Sequence, residues 1–281
     1  MKVVVYARGS EPTDSWLDAF TAGLQVHGVE TIRSDFHHPV LSAQVAVMYG
    51  ISQRHLIRAH QATGARCLIM EMGFVGDRLA RQSLLWDGLN GYGTHPRATD
   101  GGERWREEFG TAIVKPWRVD GDYVLLIGQY PGDQSIKHFE IGEWYRRAAT
   151  AARRAFAMPV HFRPHPEAAR KGVKPPAMTG VTVLRGDLDA ALKGAAVVVT
   201  ANSNTGVLAA IAGVPVIATD RGAMCWPVAS HTFTEPLVTP DRSQWLADLA
   251  WAQWSIEEMR SGAAWEHVRQ SLAAPQLEET V

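Results

Sequence analysis

Three short constellations carry side chains able to handle a phosphorylated substrate. Arg163-Pro164-His165-Pro166 follows the run Val160-His161-Phe162. Its prolines stiffen the loop and remove backbone donors. Arginine offers a planar fork of N–H groups and histidine a single donor, both suited to phosphate oxygens. The second constellation, Thr200-Ala201-Asn202-Ser203-Asn204-Thr205-Gly206, joins an apolar run to an alanine-rich helical stretch. Small hydroxyl and amide residues at a helix start leave N–H groups facing an anion. Ordinary capping by Ser203 or Asn204 is the bland alternative, but here a whole row of such residues occurs. The third, Gly128-Gln129-Tyr130-Pro131-Gly132-Asp133, lets the backbone approach a ligand. It does not fit G-x-G-x-x-G, so no nicotinamide cofactor is indicated. Asp220-Arg221 adds groups able to meet substrate hydroxyls, or to form a surface pair worth little.

A hydroxyl nucleophile needs a carboxylate to take its proton. Glu71, Asp77 and Asp87 are the candidates, and as a set they are expected to contain the base. Any one alone is more often a salt-bridged loop carboxylate, and Asp87, beside glycine, also suits a turn. Arg78, Trp86, Asn90 and Arg104 lie in the same stretch and are the candidates for holding that hydroxyl compound. Metal ligation is not expected. Asp120-Gly121-Asp122 reads as a junction turn and Asp187-Leu188-Asp189 as a helix start, while His37-His38 has no partner at ligand spacing. Arg146, Arg147, Arg153 and Arg154 fall on one predicted helix. A solvated face is the preferred reading. A phosphate-tracking patch shared with Arg170, Lys171 and Lys174 is the other.

Alternating strands and helices must position these groups. Apolar runs at 3–7, 29–32, 45–49 and 67–70 alternate with helical patterns at 15–27 and 52–63, which describes a doubly wound parallel sheet. The rhythm breaks over 71–118, a stretch rich in glycine and tryptophan. Its aromatics argue against disorder, so an ordered active-site loop is expected. Strands restart at 123–127, 160–163, 181–184, 197–201 and 214–219, with helices at 138–156 and 205–212. The segment 243–272 reads as helical, anchored by Trp245, Leu249 and Trp254. The expected domains are 1–119, 120–260 and a C-terminal helix and tail at 261–281.

With 281 residues, 46% of them hydrophobic, two core-bearing domains are within reach. A formal net charge of −1 argues against a basic nucleic-acid coat but leaves room for a local basic cleft. Two cysteines build neither a disulfide framework nor a zinc site. The opening run is too short for a signal peptide, and no stretch is long and apolar enough to span a bilayer. A cytoplasmic location is therefore expected.

The block 187–192, the run 196–206 and Ala210-Ile211-Ala212-Gly213-Val214-Pro215-Val216-Ile217 resemble the donor-binding half of GT-B glycosyltransferases. The Arg-Pro-His-Pro loop is similar to the His-Pro motif of bacterial sialyltransferases, Kdo transferases and polyol-phosphate transferases. The resemblance covers roughly residues 120–230. It implies that His165 with Arg163, and Ser203, Asn204 and Thr205, hold the phosphates of a nucleotide-sugar. Gly128, Gln129, Asp133, Asp220 and Arg221 complete the donor-binding set. Residues 71–78 and 86–91 resemble instead a family of small phage-encoded proteins assigned to glycosyltransferases, for which the location would be the host cytoplasm.

Together these readings imply an α/β chain of two Rossmann-like lobes, GT-B type, with a central interlobe cleft faced by Glu71. The implied activity is metal-independent sugar transfer from a nucleotide-sugar co-substrate, with no other cofactor. The leading acceptor is a hydroxylated or hydroxymethylated pyrimidine in phage DNA, approached by Arg78, Trp86, Asn90 and Arg104. A cell-surface saccharide is the second reading, a nucleotide-sugar epimerase the third, and a non-catalytic binding module the last. The oligomeric state is not legible.

Overall fold

The computed structural model describes residues 1–37, 40–118, 120–234 and 236–273. His38, the expected junction residue Val119 and the last part of the C-terminal tail lie outside them. The chain divides into two compact units, residues 1–109 with 246 onward, and residues 110–245. The first stretch contains β1 (Lys2–Tyr6), α1 (Thr13–Val26), β2 (Glu30–Ser34), β3 (Val45–Tyr49), α2 (Arg54–Ala62), β4 (Arg66–Met72), β5 (Gln82–Trp86) and α3 (Glu103–Glu108). The middle stretch contains β6 (Tyr123–Ile127), α4 (Ile141–Ala155), β7 (Val160–Arg163), α5 (Pro166–Arg170), β8 (Val181–Val183), α6 (Leu188–Gly194), β9 (Ala195–Thr200), α7 (Thr205–Ile211) and β10 (Val216–Ala218). The chain ends with α8 (Ser243–Trp251), β11 (Gln253–Trp254), α9 (Ile256–Ser261) and α10 (Ala263–Val268).

In the first unit the strand order is β11-β5-β4-β3-β1-β2. β1 to β4 run parallel, whereas β5 is antiparallel to β4 and β11 to β5. The period of two along each strand sends alternate residues to opposite faces. Val3, Val5, Val45, Val47, Leu68 and Met70 join one core with α1 and the C-terminal helices. Val4, Tyr6, Ala46, Met48, Cys67 and Ile69 join another with α2. Helices thus cover both faces, which is why these strands read as unbroken apolar runs. Gly23 of α1 is required by packing, because a Cβ there would stand 2.0 Å from Met259 O.

The second unit carries an all-parallel sheet, β10-β9-β6-β7-β8. Its core joins Val124, Leu126, Phe162, Val197 and Val199 to the buried stripe Tyr145, Ala148, Ala149 and Ala152 of α4. The arginines of α4 lie on its opposite, exposed face. Arg146 and Arg147 pair there with Glu143. The solvated-face reading of this helix is therefore the one the structure follows.

Two expectations change. The stretch 71–118 is not one irregular loop: Gln82–Trp86 is a fully buried strand and Glu103–Glu108 a helix. The pattern hid the strand because its five residues are buried on both faces and lack alternation. The units also divide at 109/110 and 245/246, not at 119/120 and 260/261. The physical cause is the returning segment, whose Trp254, Met259 and Trp265 insert into the first unit's core.

Candidate active site

In an open parallel sheet, ligands settle beyond the carboxyl ends of the strands, at the point where strand order reverses. The second unit begins at β6, winds out through β7 and β8, and returns to β9 and β10 on the other flank. The reversal therefore lies between β6 and β9. Two buried side chains meet there. Gln129 Nε2 donates to Asn202 Oδ1 at 2.7 Å, and Asn202 N donates to Gln129 Oε1 at 3.1 Å. Asn202 Nδ2 donates in turn to Ser135 O (2.8 Å) and to Asp220 Oδ1 (3.2 Å). Asp220 Oδ1 also accepts from Gly222 N at 2.7 Å, and Oδ2 lies 2.7 Å from His138 Nε2. The loops after β6, β9 and β10 are thus tied by one chain of hydrogen bonds. Tyr145 holds its upstream end, accepting from Gln129 N at 2.6 Å and donating to Gln129 O at 3.1 Å. Burial pushes the Tyr145 phenol up to about 12, so it keeps the proton that the second bond uses.

The His-Pro loop stands beside this network. Gly128 packs so closely on it that a Cβ would lie 2.9–3.0 Å from Phe162 Cζ, Arg163 O and Pro164 Cα. His165 caps α5, its Nδ1 accepting from Glu167 N at 3.2 Å. A neutral imidazole that accepts at Nδ1 carries its proton on Nε2, so the ring presents a donor. Gly128, Gln129, Pro131, Tyr145, Pro164 and His165 are among the residues lining a cavity of about 260 Å³. Arg163 Nη2 donates to Gly186 O at 3.1 Å, while its Nε is buried with no hydrogen-bond partner among the described residues.

At the start of α7 both readings of the small-residue turn coexist. Ser203 Oγ accepts from Thr205 N at 3.2 Å, and Thr200 Oγ1 accepts from Ser203 N at 3.0 Å. Ser203, Asn204 and Thr205 nevertheless remain partly exposed beside the network. Asp133 spends one oxygen on Ser135 N, and Arg221 is exposed. Asn202 and Tyr145 were absent from the expected set, and so was His138. Asn202 stood inside the quoted turn and had a signal. The other two sit 16 and 82 residues from their partners, too far for any local pattern.

In the first unit the reversal falls between β1 and β3. Arg8, past β1, donates to Ser52 Oγ, past β3, and lies over the Phe36 ring at 5.5 Å. Here the unit fills its own anion position. The buried Asp14 carboxylate, in the first turn of α1, accepts from Arg8 N (3.2 Å) and Gly9 N (2.8 Å) and pairs with Arg33. Glu71, on β4, is half-buried, with Oε1 accepting from Met72 N at 3.0 Å. A Cβ on Gly50 would lie 3.5 Å from Glu71 Oε2. Tyr49, whose hydroxyl donates to Gln82 Oε1 at 2.8 Å, is held well above the usual phenol range by burial and by the Glu71 charge, against the Arg78 guanidinium. Glu71, Tyr49, Gln82 and Arg78 therefore share one end of this sheet.

Other expected residues are committed elsewhere. Asp87 is buried against Arg66, with its second oxygen accepting from Cys67 N at 2.8 Å. A carboxylate so enclosed cannot reach an acceptor hydroxyl. Trp86 is fully buried and donates from Nε1 to Val268 O. Arg104 donates to Ala250 O, Gln253 O and Glu258 while stacked on Trp251 and Trp254. Neither is placed to touch a substrate. Asn90 opens a single 3-10 turn at φ 53°, and Asp77 is exposed, with Oδ1 capping Leu79 N. Among the described residues no three histidine, cysteine, aspartate or glutamate side chains converge as a metal site. Asp187 caps α6 through Ala190 N. No described helix is long and apolar enough to cross a membrane.

No protein-family model matches the chain, and no curated protein matches it. Among solved structures it is similar to the β-Kdo 2,7 transferase KpsC of Thermosulfurimonas dismutans, at 17% identity over 96% of this chain and all of that one, with a TM-score of 0.59. It is also similar to the β-Kdo 2,4 transferase KpsC of that organism, at 14% identity over 91% of this chain and 92% of that one, with a TM-score of 0.61. At such identities the likeness is one of fold. The chain has the α/β architecture of two lobes found in GT-B proteins.

Proposed function

We propose that this chain is a glycosyltransferase whose second unit binds a nucleotide-sugar and whose first unit supplies Glu71 as the base that deprotonates an acceptor hydroxyl. The observation that carries the donor assignment is the reciprocal Gln129–Asn202 pair at the strand-order reversal, flanked by a histidine whose tautomer presents a donor. The first unit's equivalent position supports the same division of labour, because Asp14 already occupies the amides that a phosphate would use. His165 and Arg163, with the partly exposed Ser203, Asn204 and Thr205, would stabilise the departing phosphate without a metal ion. The buried Gln129 and Asp220, with Gly128, Asp133 and Arg221, would shape and orient the donor.

The acceptor we propose is a saccharide. The structures of similar fold are named as Kdo transferases, and two of the four residues expected to approach a DNA acceptor are committed to packing. Trp86 is a core residue, and Arg104 is enclosed by Ala250, Gln253 and Glu258. Arg78, close to Tyr49 and Glu71, is the candidate for an acceptor contact nearest the proposed base.

The test begins with the melting temperature measured against a panel of nucleotide-sugars. A ligand that binds only the folded chain raises it by mass action. The stabilising donor is then incubated with an oligosaccharide panel and, separately, with DNA containing hydroxymethylated pyrimidines. Acceptor-dependent nucleotide release with saccharide alone supports the reading. Transfer to DNA would restore the other acceptor. Conversion of the donor with no acceptor present would replace a transferase by an epimerase.

A further inference from the structure

The short helix α5 ends at Arg170, and the chain leaves it through Gly172, which stands in the left-handed region at φ 69°. Gly172 N donates to Ala169 O at 3.1 Å and Val173 N to Ala168 O at 2.9 Å, the two bonds of a Schellman stop. Lys174 comes next and precedes Pro175-Pro176. A residue before proline is confined to extended backbone, and the proline rings fix φ beyond it. The lysine is therefore carried on a stiff loop. It lines the same cavity of about 260 Å³ as His165, with Ile141, Phe162, Pro164 and Val173 among the carbon-rich walls. That volume falls below the roughly 300–1,000 Å³ that encloses a whole small ligand, so the cavity takes one part of a nucleotide-sugar.

Other polar groups around it are engaged. Tyr145 OH is bonded to the backbone of Gln129, and the Gln129 amide to Asn202. Arg170 forks onto Glu167 at 2.7 and 2.9 Å. Lys171 lies 3.2 Å from Glu167 Oε1 and donates to Tyr130 OH at 2.9 Å. Lys174, by contrast, is exposed and makes no hydrogen bond or ion pair among the described residues. Its ammonium offers only donors and a positive charge, on a stem of four carbons. A group that His165 meets in so small a space is within that stem's reach. An anion beside carbon-rich walls also gains more from a nearby cation than it does in open water.

We propose that Lys174 is a further donor-binding residue, its ammonium meeting a phosphate oxygen of the nucleotide beside His165. The inference rests on the donor reading above and adds a residue to it. No covalent bond is made or broken at Lys174, and its contribution is to hold charge that the phosphate carries.

The test is titration calorimetry on the full chain with CMP, UDP, GDP, dTDP and ADP. Lys174→Gln, at an exposed position, should melt at an unchanged temperature. It should weaken binding of the nucleotide that the chain takes by about 10-fold, the effect of one charge-assisted hydrogen bond. Its affinity should also fall less steeply with added salt than that of the unmutated chain, because one screened contact has gone. Lys174→Arg, which keeps the charge, should recover most of the loss. Lys171→Gln should leave affinity nearly unchanged, because that ammonium is already held by Glu167 and Tyr130. Unchanged affinity in Lys174→Gln, or an equal loss in Lys171→Gln, overturns the proposal. The donor reading is judged separately through His165→Ala: if that variant loses affinity and Lys174→Gln does not, the donor site stands without Lys174. If none of the five nucleotides binds, or His165→Ala binds like the unmutated chain, the donor reading fails and takes this inference with it.

Discussion

Asp87→Asn separates a chemical role from a structural one. The Asp87 side chain is 4% exposed and that of its partner Arg66 is 7% exposed. Asn is nearly the same size, tolerates the φ of 60° at this position, and still has an oxygen for Cys67 N. What the substitution removes is the charge opposite a buried guanidinium. Breaking a buried pair from one side costs about 3–5 kcal/mol. Arg66 keeps two carbonyl partners, Ser271 O at 3.2 Å and Leu272 O at 2.9 Å, and it lies over the Trp86 ring. The lower end, about 3 kcal/mol, is therefore expected. At about 2–4 °C per kcal/mol for chains of this size class, the first unit's melting transition should fall by about 6–12 °C. The assay is calorimetry, which resolves separate transitions if the two units melt apart, alongside sugar transfer at a temperature where the variant is folded. Near-normal transfer with a lowered transition is the expected pair of results. An unchanged transition with transfer abolished would refute the structural assignment and return Asp87 to the chemistry.

Three further outcomes follow from the site and a fourth from a buried histidine. His165→Ala or Arg163→Ala should lower the transfer rate by about 100-fold with little change in melting temperature, checked by initial rates on the donor found in the panel. Glu71→Gln should abolish transfer yet leave nucleotide binding intact, whereas Asp77→Asn, an exposed turn residue, should transfer sugar like the unmutated chain; the reverse pattern would move the base to Asp77. Excess chelator should leave initial rates unchanged, and a loss restored by magnesium or manganese would bring Asp120 and Asp122, or Asp187 and Asp189, back as ligands. His267, stacked on Trp251 at 4.4 Å, is pushed down to about 4 by burial first and by His95 second. The unfolded chain then takes up the proton at higher pH than the folded one, so stability rises with pH between about 4 and 6.5 and is lost on acidification, by about 3 kcal/mol in all. Melting temperatures from pH 7 to 4 should fall more steeply for the unmutated chain than for His267→Phe.

The parts of this protein legible in its sequence are those written in local pattern. Runs such as Val3-Val4-Val5 and Val197-Val198-Val199 announce buried parallel strands because both of their faces are covered, and the chain order of such runs with helices between them leaves few folds to choose from. The Pro-flanked His165 and the small-residue turn at Asn202–Thr205 stand out in the sequence because stiff or small residues directly after an apolar run mark a strand-end loop. Tertiary structure decided the rest. Whether a carboxylate is a base or half of a buried pair depends on what lies opposite it. Arg66 stands 21 residues from Asp87, and nothing near either one in the chain records the match. Trp86 and Arg104 read as binding residues until β11 and the C-terminal helices return to cover them, with Trp86 reaching Val268 across 182 residues. His138 and Asp220 likewise came into contact only when the loops after β6 and β10 met. Pattern is fixed by nearest neighbours along the chain, while charge pairing, burial and the direction of a side chain are fixed by neighbours in space, which only the folded chain supplies.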